Sequence, residues 1–165
     1  VVKTSYKVSN LAEFQARLRE AQGVANDLTE PLEAIAADWY RSERGSFAYP
    51  GAGPYRDLTA RYKVRKRRAV GAVYPILVRT GRLKKSATDP SSLDSVVAIR
   101  DRKYLTIDSR VPYARHVQAW RPFFFVGPEA RQYATPDQVA RPTRWKKILT
   151  SYLLQHLGFS VGRAA

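Results

Sequence analysis

The chain has 165 residues, with 29 Lys and Arg against 14 Asp and Glu, for a formal charge of +15 at pH 7. That length fits one domain with a real core, and 44% apolar residues with Trp 3, Tyr 10 and Phe 6 argue against wholesale disorder. Cysteine is absent, which excludes a disulfide framework, a thiolate nucleophile and a cysteine metal site, and two histidines exclude a histidine-rich zinc site. The charge is concentrated. Residues 1–57 carry 7 basic and 8 acidic side chains, 58–88 carry 10 and none, and 89–165 carry 12 and 6. Such a surplus repels copies of itself and attracts polyanions or acidic protein surfaces. No apolar run approaches the ~20 residues of a bilayer span, and the opening residues lack the pattern of a secretory signal. The chain reads as soluble and intracellular when made, with no membrane partner.

In chain order, Asn10 and Glu13 have capping-box spacing. Leu11, Phe14, Leu18, Ala21, Ala25, Leu28, Leu32, Ile35 and Trp39 then recur at helical steps. Gly23 and Pro31 predict a kink or a break into two helices, with Asp27 and Glu30 capping the second and Arg44-Gly45 ending it. "SFAYPGAGPY" from Ser46 to Tyr55 reads as an extended arm. A basic helix follows, capped by Asp57, running to about Ala69 and carrying charge around most of its surface. Pro75 to Val78 is a brief apolar piece closed by Thr80-Gly81. Ser95–Ile99 and Tyr104–Ser109 alternate as a β-hairpin, and "RPFFFV" predicts a third strand. Thr143 caps a last helix whose stripe is Trp145, Ile148, Leu149, Tyr152, Leu153 and His156, ended by Gly158. The expected fold is α+β, with long N-terminal helices and a C-terminal helix packed on a small antiparallel sheet. It forms a single domain over 1–165: an N-terminal helical segment over 1–45, an arm over 46–57, the basic segment and sheet core over 58–130, and a helix at 141–158.

Catalytic chemistry is hard to build from these residues. No phosphate-cradling glycine loop, HExxH or GxSxG occurs, and His116 stands without a paired nucleophile or carboxylate. The expectation is a non-enzyme without cofactor or metal. The ten cations Arg61, Lys63, Arg65, Lys66, Arg67, Arg68, Arg79, Arg82, Lys84 and Lys85 are the feature that asks for a partner. Like charges at helical neighbour spacing cost a few tenths of a kcal/mol per pair. Phosphates or the acidic face of another subunit would relieve that repulsion. Tyr55, Tyr62 and Tyr74 could stack on bases or anchor the segment to the core. Phe47, Tyr49, Tyr55, Trp145 and Tyr152 are the expected assembly contacts.

The order of pieces resembles phage virion-morphogenesis, or tail-completion, proteins. "LVRTGRLKKSA", the hairpin, and "VPYARHVQAWRPFFFVGPEA" match through Leu77, Thr80, Gly81, Leu83 and Ser86, then Tyr113, Ala114, His116 and Gln118, then Arg121, Pro122 and Phe123. Phe14, Arg17, Leu18, Pro31, Leu32, Ile35 and Ala36 fit the family's N-terminal helix, so the resemblance covers Leu11 to about Ala130. Physical readings stand beside it. Gly81 supplies a positive φ where a side chain would clash, Tyr113 and Ala114 plug a one-turn helix into the sheet, and Arg121-Pro122 starts an edge strand.

The resemblance implies a neck protein of a tailed phage or phage-like particle, found in the virion and in host cytoplasm during assembly. Its partners would be its own copies in a closed ring, a hexamer favoured over a dodecamer, other neck, connector and tail proteins, and genomic DNA through backbone contacts. The alternative is a stand-alone, non-sequence-specific nucleic-acid-binding protein.

Overall fold

The computed structural model describes residues 11–48, 55, 57–75, 77–120 and 135–156, without the side chains of 11–14, 17, 18, 119 and 120. The elements are α1 (Leu11–Asn26), α2 (Thr29–Ala48), α3 (Ala60–Val70), α4 (Arg82–Thr88), β1 (Ser95–Arg100), β2 (Tyr104–Ser109), α5 (Ala114–Trp120) and α6 (Pro136–His156). The architecture is α+β, as the pattern predicts. The third strand expected at 121–126, and with it Arg121, Pro122 and Phe123, lies outside the described residues, as does Tyr49.

The N-terminal pattern does split in two, at Asp27–Leu28. Asp27 Oδ1 accepts from Thr29 N at 3.1 Å, so the capping residue sets the break. Gly23 stays helical inside α1, and Pro31 lies in the first turn of α2, where a missing N–H removes no bond. Helix α2 then continues through Gly45 to Ala48, where the expectation ended it at Gly45. Ser46 and Phe47 are buried and hold the last turn against the core, which outweighs the glycine's small helix penalty.

Helix α2 is the central element, packing on α4, α6 and both strands. Around it lie Trp39, Tyr40, Phe47, Tyr55, Leu77, Leu83, Ala87, Val111 and Ala114, joined by the partly buried Ile107, Val117 and Trp145. The hairpin pairs Ser95 with Ser109 through Arg100 with Tyr104. Asp101 and Arg102 at its tip have φ 51 and 57, the two positive values of a type I′ turn. The tip docks on the α1–α2 elbow. Leu28 N donates to Arg102 O at 2.8 Å, Arg102 Nη1 meets Asp27 Oδ2 at 3.2 Å, and Lys103 Nζ donates to Asn26 Oδ1 at 2.7 Å.

Helix α6 begins seven residues before the expected Thr143 cap. Thr135 is the true cap. Its Oγ1 accepts from Gln138 N at 3.2 Å, while Gln138 Oε1 accepts from Thr135 N at 2.9 Å, a reciprocal capping box with proline at the first helical position. Pro142 is carried inside the helix because Arg141 and Arg144 on either side of it bond to α2.

Candidate functional site

The residues of the family-like run fold into one clasp. Leu77, Leu83 and Ser86 are buried, and Ser86 Oγ meets Ser109 Oγ of β2 at 2.7 Å. Ser95 Oγ of β1 donates to the carbonyls of Ser86 and Asp89, both at 2.6 Å, so α4 is sewn to both strands. Gly81 has φ 79 and opens α4. An added Cβ there would meet nothing within 4 Å, so the glycine answers its own backbone conformation and not the steric clash expected from sequence. Ala114 is a core residue, whereas Tyr113 is 39% exposed with its hydroxyl 3.4 Å from Thr80 Oγ1. Two turns of α5 follow them, not one. His116 is exposed on α5.

Helix α3 is the cationic element, and its charges lie around most of its surface as expected, with Lys66 the buried exception. Thr59 caps it, with Oγ1 accepting from Tyr62 N at 3.4 Å, and Gly71 at φ 75 ends it with N–H to Arg67 O at 2.9 Å. Asp57, the cap expected from sequence, lies outside the helix. It accepts from Tyr74 Oη at 3.0 Å and forms an ion pair with Lys63 Nζ, whose hydrogen bond holds the Asp57 carboxyl below its usual range. Lys66 is buried at 3% exposure, and its Nζ donates to Val73 O and Pro75 O, each at 2.6 Å. Lys66 is therefore an internal tie, while Lys63, 34% exposed, is paired with Asp57 near the surface.

Arg61, Arg65, Arg67 and Arg68 are exposed, and none has an ion-pair partner among the described residues. At 3.6 residues per turn, Arg65 and Arg68 lie within about 40° of Arg61 around the axis, and Lys66 lies about 140° away. Val64, 52% exposed, sits on the arginine side, where an open trough of ≈ 590 Å³ runs beside Arg61, Arg65 and Arg68. Of the remaining cations, Arg82 forms a two-pronged pair with Asp94 at 2.6 and 2.7 Å, and Arg79, Lys84 and Lys85 are exposed. A second cavity of ≈ 630 Å³ opens between the start of α3, the 77–81 turn and α5, with Tyr62, Arg79 and Tyr113 in its walls.

The expected assembly contacts are largely internal. Phe47 is fully buried and Tyr55 is 6% exposed, because the ends of the Pro/Gly-rich stretch fold into the core. Trp145 packs against the core and donates Nε1 to Asp38 Oδ2 at 2.9 Å. Half-buried Tyr152 donates its hydroxyl to Asp27 O at 3.3 Å.

Sequence reasoning missed a buried polar seam between α2 and α6. Arg141 and Glu43 form an ion pair with 4% and 0% of their side chains exposed, and Arg141 Nε donates to Ser42 Oγ at 2.7 Å. Burial pushes the Glu43 carboxyl up to about 7, outweighing the pull of Arg141. Burial also pushes Asp38 up, but hydrogen bonds from Arg144, Arg41 and Trp145 outweigh it and hold that carboxyl below its usual range. Tyr55, beside this seam, is pushed up to about 12 by burial and by the Glu43 charge. The readable signal was acids recurring inside the apolar pattern of α2, at Asp38 and Glu43.

No protein-family model, curated protein or solved structure matches the chain. Among the described residues there is no cluster of three or more metal-ligating side chains, and no helix is long and apolar enough to cross a membrane.

Proposed function

We propose that this chain is a structural protein of the head–tail junction of a tailed phage or phage-like particle. In this reading, copies close into a ring, a hexamer in preference to a dodecamer, and join the tail to the head beside other neck, connector and tail proteins. The ordered run from Leu77 to Gln118 supports the family resemblance, since its motif residues Leu77, Gly81, Leu83, Ser86 and Ala114 have packing and backbone tasks and no chemical one. The observation that carries the reading is α3: four arginines held outward on a capped helix, unneutralised by the described residues of their own chain. A helix kept in that state is suited to meeting another macromolecule.

With a charge of +15, free copies repel one another, so ring closure strengthens when salt or a polyanion screens them. Native mass measurement of the full chain across a salt series, followed by imaging of the largest species, tests this. The expected result is a closed ring of fixed copy number that grows in proportion as charge is screened. A monomer under every condition, with or without duplex DNA, overturns it in favour of a stand-alone nucleic-acid-binding module.

A further inference from the structure

We infer that the Arg61–Arg65–Arg68 stripe of α3 is a contact for the phosphate backbone of duplex nucleic acid. The stripe could meet either phosphates or carboxylates, and three observations decide between them. The first is the division of labour on the helix. Both lysines have partners in the chain, Lys63 in Asp57 and Lys66 in two carbonyls, while the three charged positions of the stripe all hold arginine. Arginine's planar fork matches phosphate oxygens two at a time, so arginines are kept where a lysine's point charge would be weaker.

The second is what occupies the middle of the surface. A protein docking face has an apolar centre with charge at its rim. Here three arginines line the trough, and the apolar surface between them is only the small side chains of Val64 and Ala69. The third is spacing. Arg61, Arg65 and Arg68 rise along the axis by about 6 and then about 4.5 Å, so they span roughly 10 Å. One strand of a duplex presents a charge about every 3.4 Å of its length, about three phosphates over that span, which equals the number of arginines. An acidic protein would need carboxylates placed in matching register.

The helix is also fixed before any ligand arrives. Thr59 and Gly71 close its two ends, and Lys66 pins its inner side to the Val73–Pro75 turn. Little ordering is left to offset on binding. Because the contacts are to backbone charge, binding is insensitive to base sequence.

The test uses the full chain and a 25-base-pair duplex of mixed sequence, with affinity followed from about 50 to 300 mM KCl. Three phosphate contacts give a contribution of about −2.7 to the slope of log K against log salt. The triple variant Arg61→Ala/Arg65→Ala/Arg68→Ala is expected to lose that share of the slope and about 10²-fold in affinity near 0.1 M salt. The matching triple lysine variant should keep most of the slope, and Lys84→Ala/Lys85→Ala should keep all the share assigned to α3. Far-ultraviolet dichroism and a thermal melt confirm that each variant folds, as expected for exposed residues without internal partners. An unchanged slope in the folded triple alanine variant overturns the inference. So does poly-glutamate of equal charge competing as well as the duplex, which would reassign the stripe to an acidic protein. Mass measured in the same buffer separates this result from the ring reading: DNA bound by a monomer sinks the ring and leaves the stripe.

Discussion

At the α2–α6 seam, Arg141 and Glu43 are removed from water, and Arg141 is tied to a serine and a carboxylate of the facing helix. On α3, four arginines are exposed with no ion-pair partner among the described residues, on a helix that packs little against the rest of the described fold. The seam's charges are paired inside the chain and join α2 to α6, although the second carboxylate oxygen of Glu43 is buried without a hydrogen bond among the described residues. The arginine charges on α3 repel one another and are exposed, so they contribute nothing to the core. Charge paired within the fold and charge left exposed are thus separated in this protein, and a graded set of changes should expose the separation.

The largest effect belongs to the seam. Arg141→Ala leaves Glu43 buried without its cation and should cost about 3–5 kcal/mol in urea unfolding, whereas replacing both by apolar residues of similar size should cost far less. Should the single change prove harmless, the seam is not the internal tie described here. Next is pH. Glu43 has a folded value of about 7 against an ordinary 4.5. Below the lower value both states are protonated; between the two, only the unfolded chain has lost its proton, so stability falls as pH rises through that window. The loss is on the order of 3 kcal/mol, and Glu43→Gln should abolish it when unfolding midpoints are compared across the window. Asp38 works in the opposite sense: its carboxyl is held low, so its contribution is present above the ordinary 3.8 and disappears in stronger acid.

Smaller still is Lys66→Met, which strands the carbonyls of Val73 and Pro75 and should cost about 1–3 kcal/mol, unlike any arginine of the same helix. At the bottom of the scale, Arg65→Ala and Arg68→Ala should shift thermal stability by no more than about 0.5 kcal/mol, with slight gains where a like-charge neighbour is removed. A large loss at either site would mean that these arginines have internal partners after all.

How far these regions could be read in advance follows the same division. Local signals were legible: the Asp27 break, the hairpin at 95–109, and the cationic helix are set by capping, alternation and composition within short windows. Misreadings arose where distant packing overrode a local sign. Gly45 did not stop α2 because Phe47 two residues on is buried, and Pro142 hid the start of α6 although Thr135-Pro136-Asp137-Gln138 spells a capping box. The seam itself was invisible, since Glu43 and Arg141 lie 98 residues apart and only the fold joins them. On α3 the total charge was plain from composition, but the burial of Lys66 needed the helix start at Thr59 and the turn at Val73–Pro75.

The most direct measurement is a reconstruction of the full chain bound to duplex DNA, resolved well enough to follow α3. The account predicts guanidinium groups of Arg61, Arg65 and Arg68 within hydrogen-bonding reach of phosphates. The same three side chains directed into open solvent, with no nucleic acid or subunit near them, would contradict it.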